Sequence, residues 1–331
     1  MQFEFPPLQT TPLKQFPNNF GIKNLFVKDE TTNITHTFKD RLAHEMLSPI
    51  LNEINLGKQI TKTTFGSISY GNTAFSMGNY CDILNDLFGS EVVNAISFIP
   101  LEIKSKTFGP DTSGKHMQAS EMLNKVNNVC HLIEIDLTGK VYRENDLKVL
   151  ARNSGYCYEK YIDVTEGLNR VSYEGVISEV IEQQFKQVPD YIIVPFGAGI
   201  LCDEIKDYIQ DHKLSSKVIP VSSGNPDTIA IMLYGPIWVN CKDLLKNGKT
   251  LTNHDKIDRK GRIRESYCVY NVNDYEILSI LPQLNDLNIS CEPSAASGFA
   301  ILHRLHEIAP EFDRNKHSVL VINTGNSFLN Y

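Results

Sequence analysis

The sequence has no long apolar run and no closely spaced pair of cysteines. None of its apolar stretches approaches the roughly 18 residues that a membrane-spanning helix needs. The N-terminal stretch also lacks the basic and apolar regions of a secretory signal. The seven cysteines are widely spaced, which excludes the close cysteine pairs of a typical zinc site. We therefore expect reduced cysteines, no metal site, no contact with a membrane and a cytoplasmic location.

The sequence also lacks the excess of positive charge that nucleic-acid binding requires. Lys and Arg total 32 and Asp and Glu total 39, so the net charge is −7. A nucleic-acid-binding protein normally carries a basic surface, and we expect no such partner here. The 41% of hydrophobic residues and 21% of charged residues are ordinary for a globular protein. A chain of 331 residues is long enough for about two domains.

Short apolar runs alternate with amphipathic stretches along the chain. This alternation predicts an α/β fold with open, mostly parallel sheets covered by helices. The predicted strands lie at 25–27, 92–99, 132–135, 191–195, 218–221 and 319–322. The predicted helices include 38–51 and 175–185, and the polar stretch 241–265 is expected to be a surface excursion.

Four of the β-type segments are followed by small, polar turns that contain glycine. These turns lie at 69–73, 195–201, 222–226 and 323–327. In open parallel sheets, ligands bind just beyond the carboxyl ends of the strands, so the four turns together indicate a ligand site. The alternative is that Gly-Asn turns are common connections between strands and helices.

The turn Gly197-Ala198-Gly199 comes directly before a predicted helix. Glycine lets the backbone approach a ligand closely, and the first N–H groups of a helix favour an anion such as a phosphate. A dinucleotide is not expected, because Cys202 stands at the third glycine position of the dinucleotide motif. Ser222 also stands where an acidic residue would bind the ribose.

Lys39 lies at the start of the predicted helix 38–51, directly after a polar loop. The helix dipole disfavours a positive charge at this end, which favours the free amine that Schiff-base chemistry requires. The alternative is a solvated lysine that pairs with Asp40 on an exposed helix face.

Five motifs in order resemble the tryptophan-synthase-β-like superfamily of pyridoxal-phosphate enzymes, fold type II. Phe38-Lys39-Asp40-Arg41 resembles the lysine segment of that superfamily and is most similar to threonine synthase. The others are Ser69-Tyr70-Gly71-Asn72-Thr73, Val194-Pro195-Phe196-Gly197-Ala198-Gly199, Glu292-Pro293-Ser294-Ala295-Ala296 and Thr324-Gly325-Asn326. They span residues 10 to 328, almost the whole chain.

The resemblance implies pyridoxal 5′-phosphate as the cofactor and assigns residues to it. Lys39 would carry the cofactor as a Schiff base and then transfer protons as the catalytic residue. Asn72 would hydrogen-bond the 3′-oxygen of the cofactor, and Thr324 would meet the pyridine nitrogen. The phosphate would be bound by Gly197, Ala198, Gly199 and Ile200. A hydroxyl at the pyridine nitrogen makes the ring a weaker electron sink than a carboxylate would, which favours elimination and replacement at the substrate side chain.

The resemblance also implies which residues bind the substrate. Ser69, Gly71 and Thr73 would hold its α-carboxylate. Two departures from the family pattern lie beside them, because His36 stands where the family usually has glycine and Tyr70 replaces a small residue. Both would narrow the substrate pocket or act as a general acid; the alternatives are a loop histidine and a packed tyrosine.

The fold implied by the resemblance has a small movable domain, residues 45–155, and a large cofactor-binding domain, residues 1–44 and 156–331. The cofactor would lie in the cleft between them, and the protein would be a homodimer. The expected activity is elimination or replacement at an amino-acid side chain, as in threonine synthase. A β-replacing enzyme similar to cysteine synthase and a serine or threonine dehydratase are close alternatives. A non-catalytic ligand-binding or regulatory protein on the same scaffold is an alternative of another class.

Overall fold

The structure is a computed structural model of the chain. It describes the residues 3–5, 8, 10–69, 71–101, 109–116, 118–137, 142–164, 173–184, 188–197, 199–223, 228, 230, 242–246, 249–253, 269–327 and 329. The chain divides into two compact units. Unit 1 consists of residues 1–9, 33–107 and 117–172, and unit 2 consists of residues 10–32, 108–116 and 173–331. The boundaries at 45 and 155 of a movable domain stay a prediction.

Unit 1 contains a four-stranded parallel sheet. Its strands are β3 (Thr63–Ile68), β4 (Val93–Pro100), β5 (His131–Ile135) and β6 (Lys160–Asp163). They are arranged in the order β5-β4-β3-β6, and every pair is parallel. The helices of this unit are α1 (Lys39–Asn55), α2 (Asn72–Phe88), α3 (Ala119–Asn127) and α4 (Glu144–Asn153). Because β3 and β4 lie in the middle of the sheet and are buried almost throughout, they read as near-continuous apolar runs.

Unit 2 contains a six-stranded sheet. Its strands are β1 (Leu13–Gln15), β2 (Asn24–Asp29), β7 (Tyr191–Pro195), β8 (Lys217–Ser222), β11 (Tyr270–Asn271) and β12 (Ser318–Asn323). Their order is β1-β2-β12-β7-β8-β11, and only β1 runs antiparallel to its neighbour. The strands β9 (Lys242–Lys246) and β10 (Lys249–Asn253) form a separate antiparallel pair within the expected excursion 241–265, whose other residues lie outside the described part.

The helices of unit 2 are α5 (Glu174–Ser178), α6 (Ile200–Asp211), α7 (Asp274–Asp286), α8 (Pro293–Ala300) and α9 (Leu305–Ile308). Helix α8 is buried at every position, and its residues are mostly small. An added Cβ at Gly298 would lie 3.3 Å from Val321 Cγ1 on β12 and 3.5 Å from Pro195 Cγ on β7. The small residues of the segment that begins Glu292-Pro293-Ser294 therefore let α8 pack closely on these two strands.

The structure confirms the predicted α/β class and the six predicted strands, which extend by one or two residues beyond the apolar runs. The predicted helix 175–185 differs in detail, because its second half, Glu179–Gln184, is a π-helix. Glu179 in that segment accepts hydrogen bonds from the buried Lys28 ammonium (2.5 Å) and from the backbone N–H of Thr11 (3.2 Å). Within the part of the chain that the structure describes, no helix is both long enough and apolar enough to cross a membrane.

Candidate active site

Lys39 is the first residue of helix α1 in unit 1. Its side chain is half-buried, and its Nζ lies 4.5 Å from the centroid of the Phe38 ring. The backbone N–H of Lys39 donates to Thr37 Oγ1 at 2.9 Å. The amine thus sits at the positive end of a helix, where charge on it is disfavoured, and faces an aromatic ring on one side.

The loop before Lys39 is fixed by a buried polar network. Asp40 is fully buried and accepts hydrogen bonds from the backbone N–H of Thr35 (2.7 Å) and from its hydroxyl. The Thr35 hydroxyl also pairs with the Ser76 hydroxyl of helix α2 at 2.6 Å. Since the proton of Thr35 goes to Asp40, Ser76 is the donor in this second bond. The network therefore ties the lysine loop to the helix that begins at Asn72.

His36 has a backbone φ of 58°, which lies in the left-handed region. Its N–H donates to the carbonyl of Asn33 at 2.9 Å, and the Asn33 side chain donates to the carbonyl of Thr37 at 3.1 Å. A left-handed conformation favours glycine, the residue expected at this position from the resemblance. The structure thus gives a backbone reason for that glycine, and it places the half-buried imidazole three residues before Lys39.

The predicted carboxylate-binding turn follows strand β3. The buried Ser97 of β4 donates its hydroxyl to the carbonyl of Ser69, and the N–H of Gly71 donates to Ser69 Oγ at 3.3 Å. Asn72 and Thr73 then form the first turn of helix α2, and Asn72 is 9% exposed. The N-terminus of a helix offers N–H donors and a positive dipole end, which suit a carboxylate. Tyr70 lies outside the described residues.

The predicted phosphate turn in unit 2 follows strand β7. Gly199 caps helix α6 with a φ of 76°, a conformation that glycine adopts without strain. Ile200 begins the helix, and Gly197 precedes the cap, whereas Ala198 lies outside the described residues. The N–H of Phe196 donates to the carbonyl of Val221 on β8 at 2.7 Å, which fixes the start of the turn. The turn therefore leads directly into the N-terminus of a twelve-residue helix, as an anion site requires.

Thr324 directly follows strand β12, the neighbour of β7 in the sheet. The two strands are parallel, with Val321 opposite Ile193, so Thr324 and Gly197 both lie beyond the carboxyl ends of adjacent strands. Thr324 is 7% exposed, and its hydroxyl has no hydrogen-bond partner among the described residues. A buried hydroxyl is normally satisfied, so this side chain is suited to a ligand.

Residues that hold the site in place were not predicted from the sequence. Asp40 belongs to the quoted lysine motif, so its adjacency to Lys39 was a usable signal. Ser76 and Ser97 lie on other elements and carry no local signal, because only the packing of α2 against α1 and of β4 against β3 brings them to the site. Lys39, His36 and the turn 69–73 belong to unit 1, whereas Gly197, Gly199, Ile200 and Thr324 belong to unit 2.

The fold is similar to several solved structures of pyridoxal-phosphate enzymes. A pyridoxal-5′-phosphate-dependent aspartate racemase shares 17% identity, covers 97% of this chain and 91% of its own, and gives a TM-score of 0.62. A hydrogen-sulfide-producing enzyme from Fusobacterium nucleatum shares 16% identity over 96% of both chains, with a TM-score of 0.63. Maize serine racemase shares 18% identity over 97% of this chain and 89% of its own, with a TM-score of 0.62. A comparison with curated proteins found no match.

The donor groups described above fit pyridoxal phosphate. A lysine amine suits its aldehyde, a glycine-capped helix N-terminus suits its phosphate, and a neutral hydroxyl suits its ring nitrogen. Residues 5–325 match the sequence pattern of one protein family, described as pyridoxal-phosphate-dependent enzymes. This match covers nearly the whole chain and agrees with the α/β fold of type II. The protein therefore belongs to the family of pyridoxal-phosphate-dependent enzymes.

Proposed function

We propose that the protein catalyses elimination or replacement at the side chain of an amino acid, with threonine-synthase-like chemistry as the leading candidate. The observation that carries this proposal is the buried Thr324 hydroxyl beyond the end of β12, which has no partner among the described residues. A hydroxyl donates to a ring nitrogen without protonating it, so the ring withdraws electrons less strongly than it would beside a carboxylate. Such a site favours loss of a side-chain leaving group over reactions that need full delocalisation of a carbanion.

When it is bound, pyridoxal phosphate supplies the electron sink that acidifies the Cα–H bond of the amino acid. In this proposal the Lys39 Nζ accepts the α-proton and returns it later in the reaction. The amine can do so because it begins helix α1, where the free base is favoured. Asp40, through its bonds to Thr35, holds the loop that sets the position of this nitrogen.

The substrate carboxylate would be bound by the turn at the start of helix α2. Ser69, Gly71 and Thr73 lie there, and the Ser97 hydroxyl fixes the carbonyl of Ser69. Asn72 would bind the 3′-oxygen of the cofactor, and the backbone of 197–200 would bind its phosphate. The half-buried His36 lies in the same loop as Lys39, where we propose that it narrows the space for the substrate side chain.

The first experiment tests where the cofactor is attached. The purified protein should be yellow, and reduction with borohydride should leave a pyridoxyl group on the peptide that contains Lys39. The Lys39→Ala variant should be colourless. Lys217→Ala is the matched control, because that ammonium is 45% exposed and pairs only with Glu311 among the described residues. A reduced tag on another lysine, or a wild type that stays colourless with added cofactor, would refute the proposal.

The second experiment tests the reaction. The yellow protein is mixed with O-phosphohomoserine, O-phosphoserine, O-acetylserine, serine and threonine, and the products are separated by chiral chromatography. A 2-oxo acid with ammonia, or an amino acid with a replaced side chain, supports the proposal. Inversion at Cα with an intact side chain would contradict it and indicate a racemase, the activity in the names of two structures of similar fold. No change with any amino acid would indicate the non-catalytic alternative.

A further inference from the structure

The turn after strand β12 is held at nearly every residue except Thr324. The Asn323 side chain donates to Asp29 Oδ1 (3.1 Å) and to the carbonyl of Ser290 (2.8 Å). The carbonyl of Gly325 accepts from the N–H of Glu292 at 3.2 Å. The Thr324 hydroxyl, by contrast, has no partner among the described residues, so its neighbours decide where it points.

The second half of the turn is fixed by two buried carboxylates. Asn326 is fully buried and donates from Nδ2 to Asp111 Oδ2 at 3.1 Å and to Ser290 Oγ at 2.9 Å. Ser327 donates from its N–H (3.0 Å) and its hydroxyl (2.5 Å) to Glu292 Oε2. Hydrogen bonds to a charged acceptor are stronger than neutral ones, so these contacts are the firmest in the turn.

Asp111 comes from a segment distant in sequence. The described residues 109–116 belong to unit 2, although the chain before and after them belongs to unit 1. Asp111 is 3% exposed, and its Oδ1 accepts from the N–H and hydroxyl of Ser113 (2.9 and 2.6 Å) and from the N–H of Lys115 (3.0 Å). Thr112 adds a reciprocal pair of hydrogen bonds to the backbone of Cys291, each 3.2 Å long.

The division of labour at the Asp111 carboxylate is informative. Oδ1 organises its own loop through three donors, and that leaves Oδ2 to bind Asn326. A loop that needed only its own turn would not bury a charge against a side chain 215 residues away. The geometry points to Asp111 as a positioning residue: it clamps Asn326 so that the turn presents the Thr324 hydroxyl to the cofactor ring. This inference rests on the proposed function, since Thr324 is the group that it positions.

A charge exchange between Asp111 and Asn326 tests the clamp. In Asp111→Asn, the new amide can keep its oxygen toward the loop N–H groups only by turning its NH₂ toward Asn326 Nδ2, so two donors face each other. The double variant Asp111→Asn with Asn326→Asp restores one donor and one acceptor. We expect Asp111→Asn to weaken the affinity of the cofactor-free protein for pyridoxal phosphate about tenfold, and the double variant to recover most of that loss.

Two further readouts separate positioning from general stability. Hydrogen exchange of residues 324–327 should accelerate in Asp111→Asn, and the circular dichroism of the bound cofactor should change; both should return in the double variant. Asp313→Asn is the matched control, because Asp313 also accepts a backbone N–H in a tight turn, from Asn315 at 2.9 Å, but it is exposed. If Asp111→Asn does not fold, Ser290→Ala removes the other bond to Asn326 and should shift the same readouts to a smaller degree.

The outcomes separate this inference from the proposed function. A colourless wild type would overturn both. A yellow wild type with unchanged cofactor affinity, dichroism and exchange in Asp111→Asn would overturn the clamp alone. A double variant that folds but recovers neither affinity nor dichroism would also overturn it, because the bond between the two side chains would then not be the cause.

Discussion

Gly66 lies at the centre of strand β3 in unit 1, directly beneath the ring of Tyr161 from β6. A Cβ at this position would lie 2.0 Å from the Tyr161 hydroxyl oxygen and 2.5 Å from Cζ. Side chains do not approach within 3.0 Å, so the ring would have to move by about 1 Å or more. Tyr161 is 5% exposed and packs among Ile96, Phe98 and Leu147, which leave it little room.

We expect Gly66→Ala to lower the free energy of unfolding by about 1–3 kcal/mol, the usual cost of overpacking a core. This loss changes the unfolding equilibrium by a factor of about 5 to 140. The measurement is urea unfolding followed by far-UV circular dichroism, for the single variants Gly66→Ala and Tyr161→Leu and for the double variant. Because leucine is shorter than tyrosine, the double variant should be more stable than the sum of the two losses by at least about 1 kcal/mol. Additivity within about 0.5 kcal/mol would show that the ring is not the obstacle.

Three other predictions follow from burial. The Tyr161 hydroxyl is buried with no hydrogen-bond partner among the described residues, so Tyr161→Phe should unfold at the same or a higher urea concentration; a clear loss of stability would reveal a partner. Burial, together with the nearby Asp86, raises the pKa of Asp82 above its ordinary 3.8. The folded state then binds this proton more tightly than the unfolded state, so stability falls as pH rises through that range. Asp82→Asn should therefore raise the melting temperature at pH 7 and lose this advantage toward pH 4, and an equal gain at both pH values would contradict the reasoning. Burial raises the pKa of the Cys130 thiol, whereas Cys157 is only half-buried, so N-ethylmaleimide should modify Cys157 first, as peptide mass spectrometry can measure; equal rates would show that the strand and helix around Cys130 open freely.

The parts of the fold that depend on neighbouring residues were predictable. The apolar run Tyr191–Pro195 indicated a strand covered on both faces, and it is β7. The glycines after it indicated a helix N-terminus, and Gly199 caps α6. The helix expected at 175–185 was predicted with a regular α-helical repeat, but a buried contact between Glu179 and Lys28, 151 residues apart, accompanies a π-helix there. No pattern within the segment indicates that partner.

The sequence by itself determined the class of fold, the cofactor family and the start of helix α1 at Lys39, because strand periodicity, glycine turns and a contiguous lysine motif are local properties of the chain. Only the tertiary structure decided which buried groups hold those residues. Ser76 reaches Thr35 across two packed helices, and Asp111 reaches Asn326 across 215 residues of chain. Such pairs form because the order of strands and the packing of helices place distant backbone segments side by side, and a buried polar group must find its partner there rather than in water.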